Sequence, residues 1–484
     1  MYDIAVVGAG VVGSLIAREL CKYELKVALI EKASDVACGA TKGNSAIVHA
    51  GFDAEAGSLK AMLNVKGCEM MPGTARELGV HYEQNGSLVC AFTDEEAAHL
   101  EQLRHRGEIN GVRSLEIIAG DNLDRLFTME PNLSREVKAA LHAPTAGIVC
   151  PYLLTIAAAE HAVLNGCDLF LNFEAAGIQK RESENYEITS STGEKITTRF
   201  IVNSAGLYSD EIARLCGEPI DEINQYEIIP RRGEYMLMDK NTGATARATL
   251  FSVPSDKGKG ILVSPTVDGN LLIGPNAIVS GKDDVSTTMA GLAEIREGAL
   301  RLIPGLNMRQ VITSFAGARS TPKNGDFNIF VSNTSSNILH LIGIESPGLA
   351  SSPAIAEYSV NLLSQAGLCL TAKRDTVSRP YKKAFRNMSD DERIEAISIN
   401  KAYAKIICRC ESVTEAEIID AIKSPCPATT LDAVKRRARA GMGRCQGGFC
   451  SPRIVEILSR ELGIDMIEIT KKGADSYILT SRTK

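Results

Sequence analysis

Apolar residues in this chain fall into short buried runs separated by amphipathic stretches, a pattern that predicts alternating strands and helices. The run at 3–7 predicts a buried strand, and the apolar stretch after it predicts a helix that extends to about Lys22. A second strand is predicted at 26–30, and further buried strands are predicted at 200–203 and 339–344. The pattern is typical of an α/β fold.

A different pattern occupies the middle of the chain, where apolar and polar residues alternate with a period of two. The segments 235–238, 260–263 and 270–273 show this alternation, and a turn signal at 267–270 precedes the last of them. We therefore expect a second sheet in this region, with mixed or antiparallel strands.

The last quarter of the chain begins with a polar segment, 373–393, that has few large apolar residues and predicts a linker. Near the end, 466–470 and 476–480 predict a terminal hairpin. The longest apolar stretch, 4–17, is interrupted by glycine and is too short to cross a bilayer. We expect no transmembrane segment.

Composition and charge fit a globular protein. The chain has 484 residues, of which 44% are hydrophobic and 23% charged, and this length supplies core for about three domains. The net charge of −6 gives no reason to expect nucleic-acid binding. Most of the 13 cysteines are scattered singly, and no basic segment precedes the first strand. We expect a cytoplasmic location, with peripheral attachment to the inner face of the membrane left open.

A glycine motif connects the first predicted strand to the first predicted helix. Gly8, Gly10 and Gly13 have the spacing G-x-G-x-x-G, and the second strand ends in Glu31. Glycines permit a tight turn and a close approach to a pyrophosphate, and the carboxylate of Glu31 can accept hydrogen bonds from ribose hydroxyls. The unit predicts dinucleotide binding.

Two downstream segments indicate FAD rather than NAD. The strand at 200–203 leads into Ser204-Ala205-Gly206, where the backbone can pass close to a cofactor. The segment 345–350 turns into a helix whose N-terminus can stabilise negative charge on a reduced flavin.

Four cysteines near the C-terminus form two close pairs. Cys408 and Cys410 have the spacing C-x-C, and Cys445 and Cys450 the spacing C-x4-C. We expect all four in loops at helix ends, where backbone N–H groups stabilise thiolates. Zinc sites usually show C-x2-C pairs, so the spacing favours an iron-sulfur cluster, with structural zinc and unliganded thiols as alternatives.

Local signals also predict helices around these cysteines. A cap at Ser412, with Glu415 three residues later, starts one helix, a second spans 429–440, and Ser451 starts a third. The second helix carries three arginines, namely Arg436, Arg437 and Arg439. We interpret them as a solvated face, with docking of an acidic partner as the alternative.

Five further motifs show what the chain resembles. They are the stretches at 44–51, 231–235, 258–265, 314–319 and 346–349. In this order they resemble the D-amino-acid-oxidase superfamily of FAD enzymes, through about residue 365. Within it the chain is most similar to the mollicute glycerol-3-phosphate oxidases, followed by L-2-hydroxyglutarate dehydrogenases. The last fifth resembles the 2Fe-2S module of the bacterioferritin-associated ferredoxin family.

These resemblances imply a Rossmann-like FAD-binding domain with an inserted substrate domain, followed by a small helical iron-sulfur domain. The expected boundaries are 1–85, 146–215 and 326–372 for the FAD-binding domain, 86–145 and 216–325 for the substrate domain, 373–400 for the linker, 401–462 for the 2Fe-2S domain and 463–484 for the hairpin and tail.

The resemblance also implies roles for single residues. The expected flavin-binding residues are Gly8, Gly10, Gly13, Glu31, Lys32, Thr41, Asn44, Ser45, Ala175, Gly206, Gly348, Leu349 and Ala350. The expected ligands of the cluster are Cys408, Cys410, Cys445 and Cys450.

Four residues are expected to act on the substrate. His49 is the candidate general base, with a satisfied core histidine as the alternative. Arg319 is expected to hold a phosphate or carboxylate, with a surface ion pair as the alternative. Lys259, or Lys257 in another register, would stabilise negative charge. Ser346 would bind substrate or cap a helix.

Together these expectations describe a dehydrogenase. It would oxidise sn-glycerol-3-phosphate to dihydroxyacetone phosphate and pass electrons through the cluster to an acceptor subunit. An L-2-hydroxy acid such as 2-hydroxyglutarate is the alternative substrate, since both are small anions with a secondary hydroxyl. A flavoprotein subunit that only relays electrons is the alternative in another class, but it would need neither His49 nor Arg319.

Overall fold

The computed structural model describes residues 1–181, 185–221, 223, 225–254 and 260–481. The strands are β1 Tyr2–Val7, β2 Val27–Ile30, β3 Ile47–Val48, β4 Tyr82–Glu83, β5 Ser87–Ala91, β6 Glu116–Ala119, β7 Ala139–Ala143, β8 Gly147–Val149, β9 Asp168–Phe170, β10 Ala175–Lys180, β11 Tyr186–Ser190, β12 Lys195–Asn203, β13 Ile228–Met238, β14 Thr249–Ser252, β15 Leu262–Pro265, β16 Leu271–Gly274, β17 Ile278–Val279, β18 Val311–Pro322, β19 Asn328–Val331, β20 Ile338–Ile342, β21 Ile406–Cys408 and β22 Val413–Thr414. The α-helices are α1 Val11–Leu20, α2 Leu59–Glu77, α3 Asp94–Ile109, α4 Leu123–Met129, α5 Pro151–Leu164, α6 Ser209–Leu215, α7 Met289–Leu302, α8 Gly348–Gln365, α9 Asp390–Ile399, α10 Glu415–Ile422, α11 Leu431–Ala438 and α12 Ser451–Leu462.

The first sheet contains the strands predicted from the buried runs. Its order is β9-β2-β1-β12-β20-β19, and the hairpin β10-β11 joins the first half of β12. β1 is parallel to β2 and β12, and β12 is parallel to β20. Helices α1, α5 and α8 pack together on one face over a core of aliphatic side chains. The predicted α/β, Rossmann-like fold is confirmed.

The second sheet is built from two separate parts of the chain, with strands β5 to β7 in the first and β13 to β18 in the second. Its order is β17-β13-β16-β15-β14-β5-β7-β6, and β18 pairs along the whole of β13. Most pairs are antiparallel, but β14 and β5 are parallel, so the predicted mixed sheet is confirmed. Helices α3 and α7 pack against this sheet. The exact domain boundaries stay predictions.

The C-terminal domain has a small core of its own, formed by α10, α11, α12 and the strand pair β21-β22. The predicted cap of its first helix was wrong by two residues. Thr414 is the N-cap, and it forms a capping box with Glu417, whereas Ser412 lies in the left-handed region at φ 52°. The two arms of the predicted terminal hairpin meet in one antiparallel bridge, from Thr470 to Tyr477, and the first arm contains a 3-10 helix, Met466–Glu468, instead of a strand.

The polar segment that predicted a linker packs against the domains on both sides of it. It carries helix α9, and the Val377 backbone N–H and C=O both bond the side chain of Asn165. Beyond it, Cys426 is 1% exposed and lies in the core of the first sheet. In the described residues, no helix is long and apolar enough to cross a membrane.

Candidate active site and cysteine centre

A cavity of about 750 Å³ lies between the two sheets. Most of the residues predicted to bind flavin or substrate line it: Gly8, Gly10, Glu31, Lys32, Thr41, Asn44, Ser45, His49, Ala175, Gly206, Arg319, Ser346, Gly348 and Leu349. Gly13 and Ala350 lie behind its wall, and Ala350 is fully buried in the core of the first sheet. Lys259 and its alternative Lys257 lie outside the described residues, so the role of Lys259 stays a prediction.

The glycine loop makes one end of this cavity, and two of its glycines have no room for a side chain. A Cβ on Gly8, at φ 105°, would lie 2.6 Å from the carbonyl oxygen of Ser204, and one on Gly13 would lie 1.9 Å from that of Gly8. Helix α1 begins directly after the loop, and its N-cap Gly10 offers no side-chain cap. The Thr41 hydroxyl accepts a hydrogen bond from the Val11 N–H at 3.0 Å, and Gly10 has no side chain that would keep an anionic group from the rest of this helix N-terminus.

Glu31 holds the glycine loop in place. Its Oε2 accepts a hydrogen bond from the Ala9 N–H at 2.9 Å, and its Oε1 accepts one from the Ala33 N–H at 2.9 Å. Burial raises the pKa of this carboxyl, and the two backbone N–H groups oppose the shift. Each oxygen keeps a second lone pair, which a ribose hydroxyl can use. The neighbouring Lys32 places its Nζ 3.4 Å from the ring centre of Tyr208.

The segment after the 3-10 helix Ala40–Lys42 folds back on itself. The Asn44 side chain donates to the Thr41 carbonyl at 2.8 Å and accepts from the Ala46 N–H at 2.8 Å. The Ser45 hydroxyl lies 3.2 Å from the phenolic oxygen of Tyr235 on β13. These bonds fix the loop against the second sheet.

Helix α8 points its N-terminus at the same cavity. Gly348 and Leu349 in its first turn line the wall. The N-cap is Pro347, and no side chain caps the helix, so the alternative interpretation of Ser346 as the cap was wrong. Ser346 is exposed to the cavity. A cavity with two helix N-termini at its wall and a loop that a Cβ would fill fits a dinucleotide such as FAD.

His49 lies at the edge of the cavity, and its ring is 8% exposed. Its Nδ1 accepts a hydrogen bond from the Gly51 N–H at 3.1 Å, which requires the proton of the neutral ring to be on Nε2. Asn64 Oδ1 lies 3.3 Å from the same Nδ1 and pairs only with the other tautomer, in which Nδ1 donates. General-base chemistry at Nε2 needs this second tautomer, so Asn64 is the group that favours it.

Two arginines are paired neighbours on adjacent strands of the second sheet. In the register of β13 and β18, Arg231 lies opposite Arg319, and both line the cavity. In the part of the chain that the structure describes, Arg319 donates to the Asn276 carbonyl at 3.4 Å, and neither guanidinium is in a salt bridge. Like charges directly opposite one another are destabilising unless an anion neutralises them. An anionic group bound between the two guanidinium groups would remove this repulsion.

Sequence reasoning missed Arg231. It appeared in one of the motifs that carried the family resemblance, but no role was assigned to it. The signal that reveals it is the pairing of β13 with β18, which puts residues 88 positions apart side by side. A surface ion pair, the alternative for Arg319, is not what the described residues show.

The four candidate cluster cysteines come together in the C-terminal domain as two pairs. The sulfurs of Cys410 and Cys445 are 3.8 Å apart, and the thiols of Cys408 and Cys450 share a hydrogen bond. Three lie in turns or at the start of a helix, but Cys408 is the last residue of β21, so the expectation of four helix-end loops was wrong for it. Among the described residues, no group of three or more His, Cys, Asp and Glu side chains is placed to hold one metal ion. Two thiol pairs fit a two-iron cluster, in which each iron takes two cysteines.

Hydrogen bonds favour the thiolate form in this centre. The bond from Cys450, together with the backbone N–H groups of Gly441 and Glu411, lowers the pKa of Cys408 although burial opposes it. The Phe449 and Gly447 N–H groups likewise lower the pKa of Cys445. The shared bond raises the pKa of Cys450, so the pair keeps one proton between them in the absence of a metal.

The three arginines of α11 and its C-cap were interpreted as a solvated face, and this was wrong. Asp35, 1% exposed, accepts two hydrogen bonds from the Arg437 guanidinium at 2.7 and 2.8 Å and one from Arg436 at 2.5 Å. Arg436 and Arg439 are 6% and 5% exposed. The arginines therefore join the cysteine domain to the loop that carries the nucleotide site, and none of them is available to a partner.

Arg439 makes the corresponding contact to the second sheet. Its guanidinium donates to Asp268 at 2.6 Å and to Glu411 at 2.8 Å, and Arg386 bonds the same Asp268 at 2.8 Å. We call these contacts, together with those of Asp35, the seam. Because the seam includes both catalytic sheets, it fixes the orientation of the cysteine domain.

Comparison with known protein families agrees with this architecture. Residues 3–362 match the family model of FAD-dependent oxidoreductases called DAO. Residues 406–460 match the BFD-like 2Fe-2S binding domain, and this range contains all four cysteines of the centre.

Similar proteins include a glycerol 3-phosphate dehydrogenase of Caloramator mitchellensis, 47% identical over 488 residues that cover 100% of this chain and 99% of that protein. A mitochondrial L-2-hydroxyglutarate dehydrogenase of Caenorhabditis elegans is 29% identical over 74% of this chain and 92% of its own length. Among solved structures, the dithionite-reduced L-α-glycerophosphate oxidase of Mycoplasma pneumoniae with FAD bound has a TM-score of 0.73 and 29% identity, covering 79% of this chain and 99% of that one. The chain thus belongs to the DAO family of FAD-dependent oxidoreductases and carries a C-terminal 2Fe-2S domain.

Proposed function

We propose that the protein is a dehydrogenase that oxidises sn-glycerol-3-phosphate to dihydroxyacetone phosphate and passes the electrons through its cluster to a separate acceptor protein in the cytoplasm. The observation that carries the substrate assignment is the pair Arg231 and Arg319, which face one another and the cavity. Two guanidinium groups can bind a phosphate through parallel hydrogen bonds from two directions.

The names of similar proteins support this choice of substrate. The Caloramator mitchellensis relative, whose alignment covers the whole length of this chain, is named a glycerol 3-phosphate dehydrogenase. The L-2-hydroxyglutarate dehydrogenase is less similar and matches only 74% of the chain. A carboxylate would also fit between the arginines, so a 2-hydroxy acid is the competing substrate to be tested.

The chemistry divides between the cofactors and the chain's own residues. Bound FAD would supply an acceptor for the hydride of the substrate carbon, and a bound 2Fe-2S cluster would supply a one-electron carrier. We propose that the chain holds FAD through Gly8, Glu31 and the N-termini of α1 and α8. His49 would take the hydroxyl proton on Nε2, which requires Nδ1 to carry the ring proton and donate to Asn64 in place of the bond that it accepts from the Gly51 N–H. Ser346 would bind a substrate hydroxyl beside them.

A domain that carries single electrons is useful only if the electrons leave one at a time. The structural match with the Mycoplasma pneumoniae oxidase covers 99% of the oxidase but 79% of this chain. The oxidase therefore has no segment that corresponds to the remaining part of this chain. We therefore expect slow reaction with oxygen and fast reaction with a one-electron acceptor.

The test is anaerobic mixing of the purified protein with glycerol-3-phosphate, L-2-hydroxyglutarate and glycerol, followed by flavin absorbance. We expect fast bleaching with glycerol-3-phosphate and slow bleaching with the other two. Faster bleaching with L-2-hydroxyglutarate would reassign the substrate. Equal rates with glycerol and glycerol-3-phosphate would reject the arginine pair as the phosphate site.

A second measurement tests the route of the electrons. Changing Cys445 and Cys450 to serine should abolish the cluster and slow reduction of a one-electron acceptor, while substrate still bleaches the flavin. Rapid peroxide formation at the full rate in both proteins would mark the enzyme as an oxidase. Zinc in place of iron in protein prepared anaerobically would reject the cluster.

A further inference from the structure

The surface around the cysteine centre exposes apolar side chains next to both thiol pairs. Phe449, which precedes Cys450, is 87% exposed, and Ile406, in the same strand as Cys408, is 42% exposed. The Phe449 backbone is not loose, since its N–H bonds the Cys445 sulfur. Single exposed apolar residues are common on protein surfaces, but these two flank the redox centre from different parts of the chain.

The two segments that carry the cysteines contribute charge of one sign to this surface. The segments 405–410 and 444–453, which contain all four cysteines, hold four Lys and Arg residues and no Asp or Glu. Arg409 is exposed between Cys408 and Cys410, and the Arg453 side chain is 67% exposed in the first turn of α12. Of the four, Lys405 pairs with Glu415, Arg444 with Asp239 and Arg453 with Glu456, so Arg409 is the one without a salt bridge among the described residues. The chain as a whole has a net charge of −6, so the basic surface is local.

One cysteine pair opens onto this surface and the other does not. Cys410 is exposed and Cys445 is partly exposed, whereas Cys408 and Cys450 are each 1% exposed. The seam holds the domain through buried ion pairs on its other sides. The domain therefore cannot swing towards a distant acceptor, and an acceptor must come to the exposed pair.

We propose that Ile406, Arg409, Cys410, Phe449 and Arg453 form the docking surface for an acidic one-electron carrier protein. This inference rests on the proposed function, in which each alcohol oxidised to a ketone releases two electrons and two protons. Two carrier molecules dock in turn, and each is reduced by one electron. An aromatic anchor with a basic rim suits a small, transient interface, in which charge complementarity sets the association rate.

An anionic membrane surface would be the other partner for basic residues. Membrane-binding segments usually cluster about four to eight basic residues on one helix or tail. Here three of the four basic residues already have acidic partners, and the surface is centred on thiols. The observations favour a protein.

The experiment uses the whole protein with both cofactors and two haem proteins of opposite charge as probes, acidic cytochrome b5 and basic cytochrome c. We expect cytochrome b5 to bind, with an affinity that falls as salt rises, and to be reduced faster than cytochrome c at low salt. Arg409→Glu should lower the association rate of cytochrome b5 about tenfold, and Phe449→Ser should lower its affinity about fivefold.

Matched controls lie elsewhere on the surface. Arg309→Glu makes the same charge change at another exposed arginine, and Met289→Ser removes an apolar side chain that is 90% exposed. Neither should affect cytochrome b5. If Arg409→Glu loses iron, Arg453→Glu tests the same charge outside the C-x-C segment.

Three outcomes would overturn the proposal. They are an equal loss of cytochrome b5 binding in Arg309→Glu, an affinity that does not depend on salt, and Arg409-dependent binding to phosphatidylserine vesicles without binding to cytochrome b5. Flavin bleaching by glycerol-3-phosphate is recorded in every variant. Because binding needs no turnover, failure of the bleaching rejects the proposed function, whereas failure of the binding rejects only the docking surface.

Discussion

The cavity between the two sheets, which we call the cleft, and the seam differ in whether their arginines have acidic partners. In the cleft, Arg231 and Arg319 lie opposite one another without an acidic partner among the described residues. In the seam, Arg436, Arg437 and Arg439 are buried, and each is matched to a carboxylate of another element. Unmatched charge marks where a ligand binds, and matched buried charge marks where two parts of the protein stay together.

The largest expected effect comes from removing the candidate base in the cleft. His49→Ala should slow substrate-driven flavin reduction by about 10²-fold or more, because a positioned base contributes about 10² to 10⁴. FAD should stay bound, since the glycine loop is unchanged. Rapid-mixing kinetics and flavin content measure the two quantities. An unchanged rate would return His49 to the core-histidine interpretation.

Breaking the seam should have the second-largest effect. Asp35→Asn leaves Arg436 and Arg437 buried without their carboxylate, which typically costs about 3–5 kcal/mol. Thermal unfolding should show the loss. Arg444→Gln is the control, because this exposed pair with Asp239 should contribute at most about 1 kcal/mol. Equal effects of the two changes would mean that burial does not distinguish them.

Changing either arginine of the cleft tests whether a charge without an acidic partner serves substrate binding rather than stability. Arg319→Lys and Arg231→Lys should each raise the KM for glycerol-3-phosphate about tenfold, since a lysine cannot donate two parallel hydrogen bonds. Neither should lower the melting temperature by more than about 1 kcal/mol of lost stability would, because among the described residues the pair makes one long hydrogen bond, from Arg319 to the Asn276 carbonyl at 3.4 Å, and no salt bridge. Loss of stability without a change in KM would contradict the anion site.

The smallest expected effect is a difference in acid sensitivity. Burial raises the pKa of Asp35, but the hydrogen bonds and charges of Arg437 and Arg436 outweigh it and lower the pKa below the usual value. Its contribution is therefore present above the unfolded pKa of about 3.9 and lost as pH falls through the folded pKa. The difference in melting temperature between the parent and Asp35→Asn should narrow below about pH 4. A constant difference would remove Asp35 as its source.

Local signals were enough for much of this structure. The glycine loop follows from residues 8–13 and the strands on each side, and both sheets follow from apolar periodicity. The N-cap of α10 could not be chosen from local signals, because Ser412 and Thr414 each have a glutamate three residues later. The pairing of β21 with β22 decides between them by making Val413 and Thr414 a strand.

The charges of the seam and the cleft depend on contacts that no local pattern contains. Asp35 and Arg437 are 402 positions apart, so the α11 arginines resembled an ordinary solvated helix face. Arg231 acquires its meaning only when β13 pairs with β18. Charged residues were therefore the hardest to interpret from sequence, since their roles depend on whether a partner from elsewhere in the chain reaches them.

Cys426 gives the order of synthesis a structural consequence. This residue belongs to the last fifth of the chain but is buried in the core of the first sheet, in one cluster with side chains of helices made much earlier. Until residues 426–437 have been translated, the position that Cys426 fills in the first core is empty, and the Asp35 carboxylate lacks its arginine partners. The first core can be completed only after the part of the 2Fe-2S domain that carries Cys426 has emerged from the ribosome.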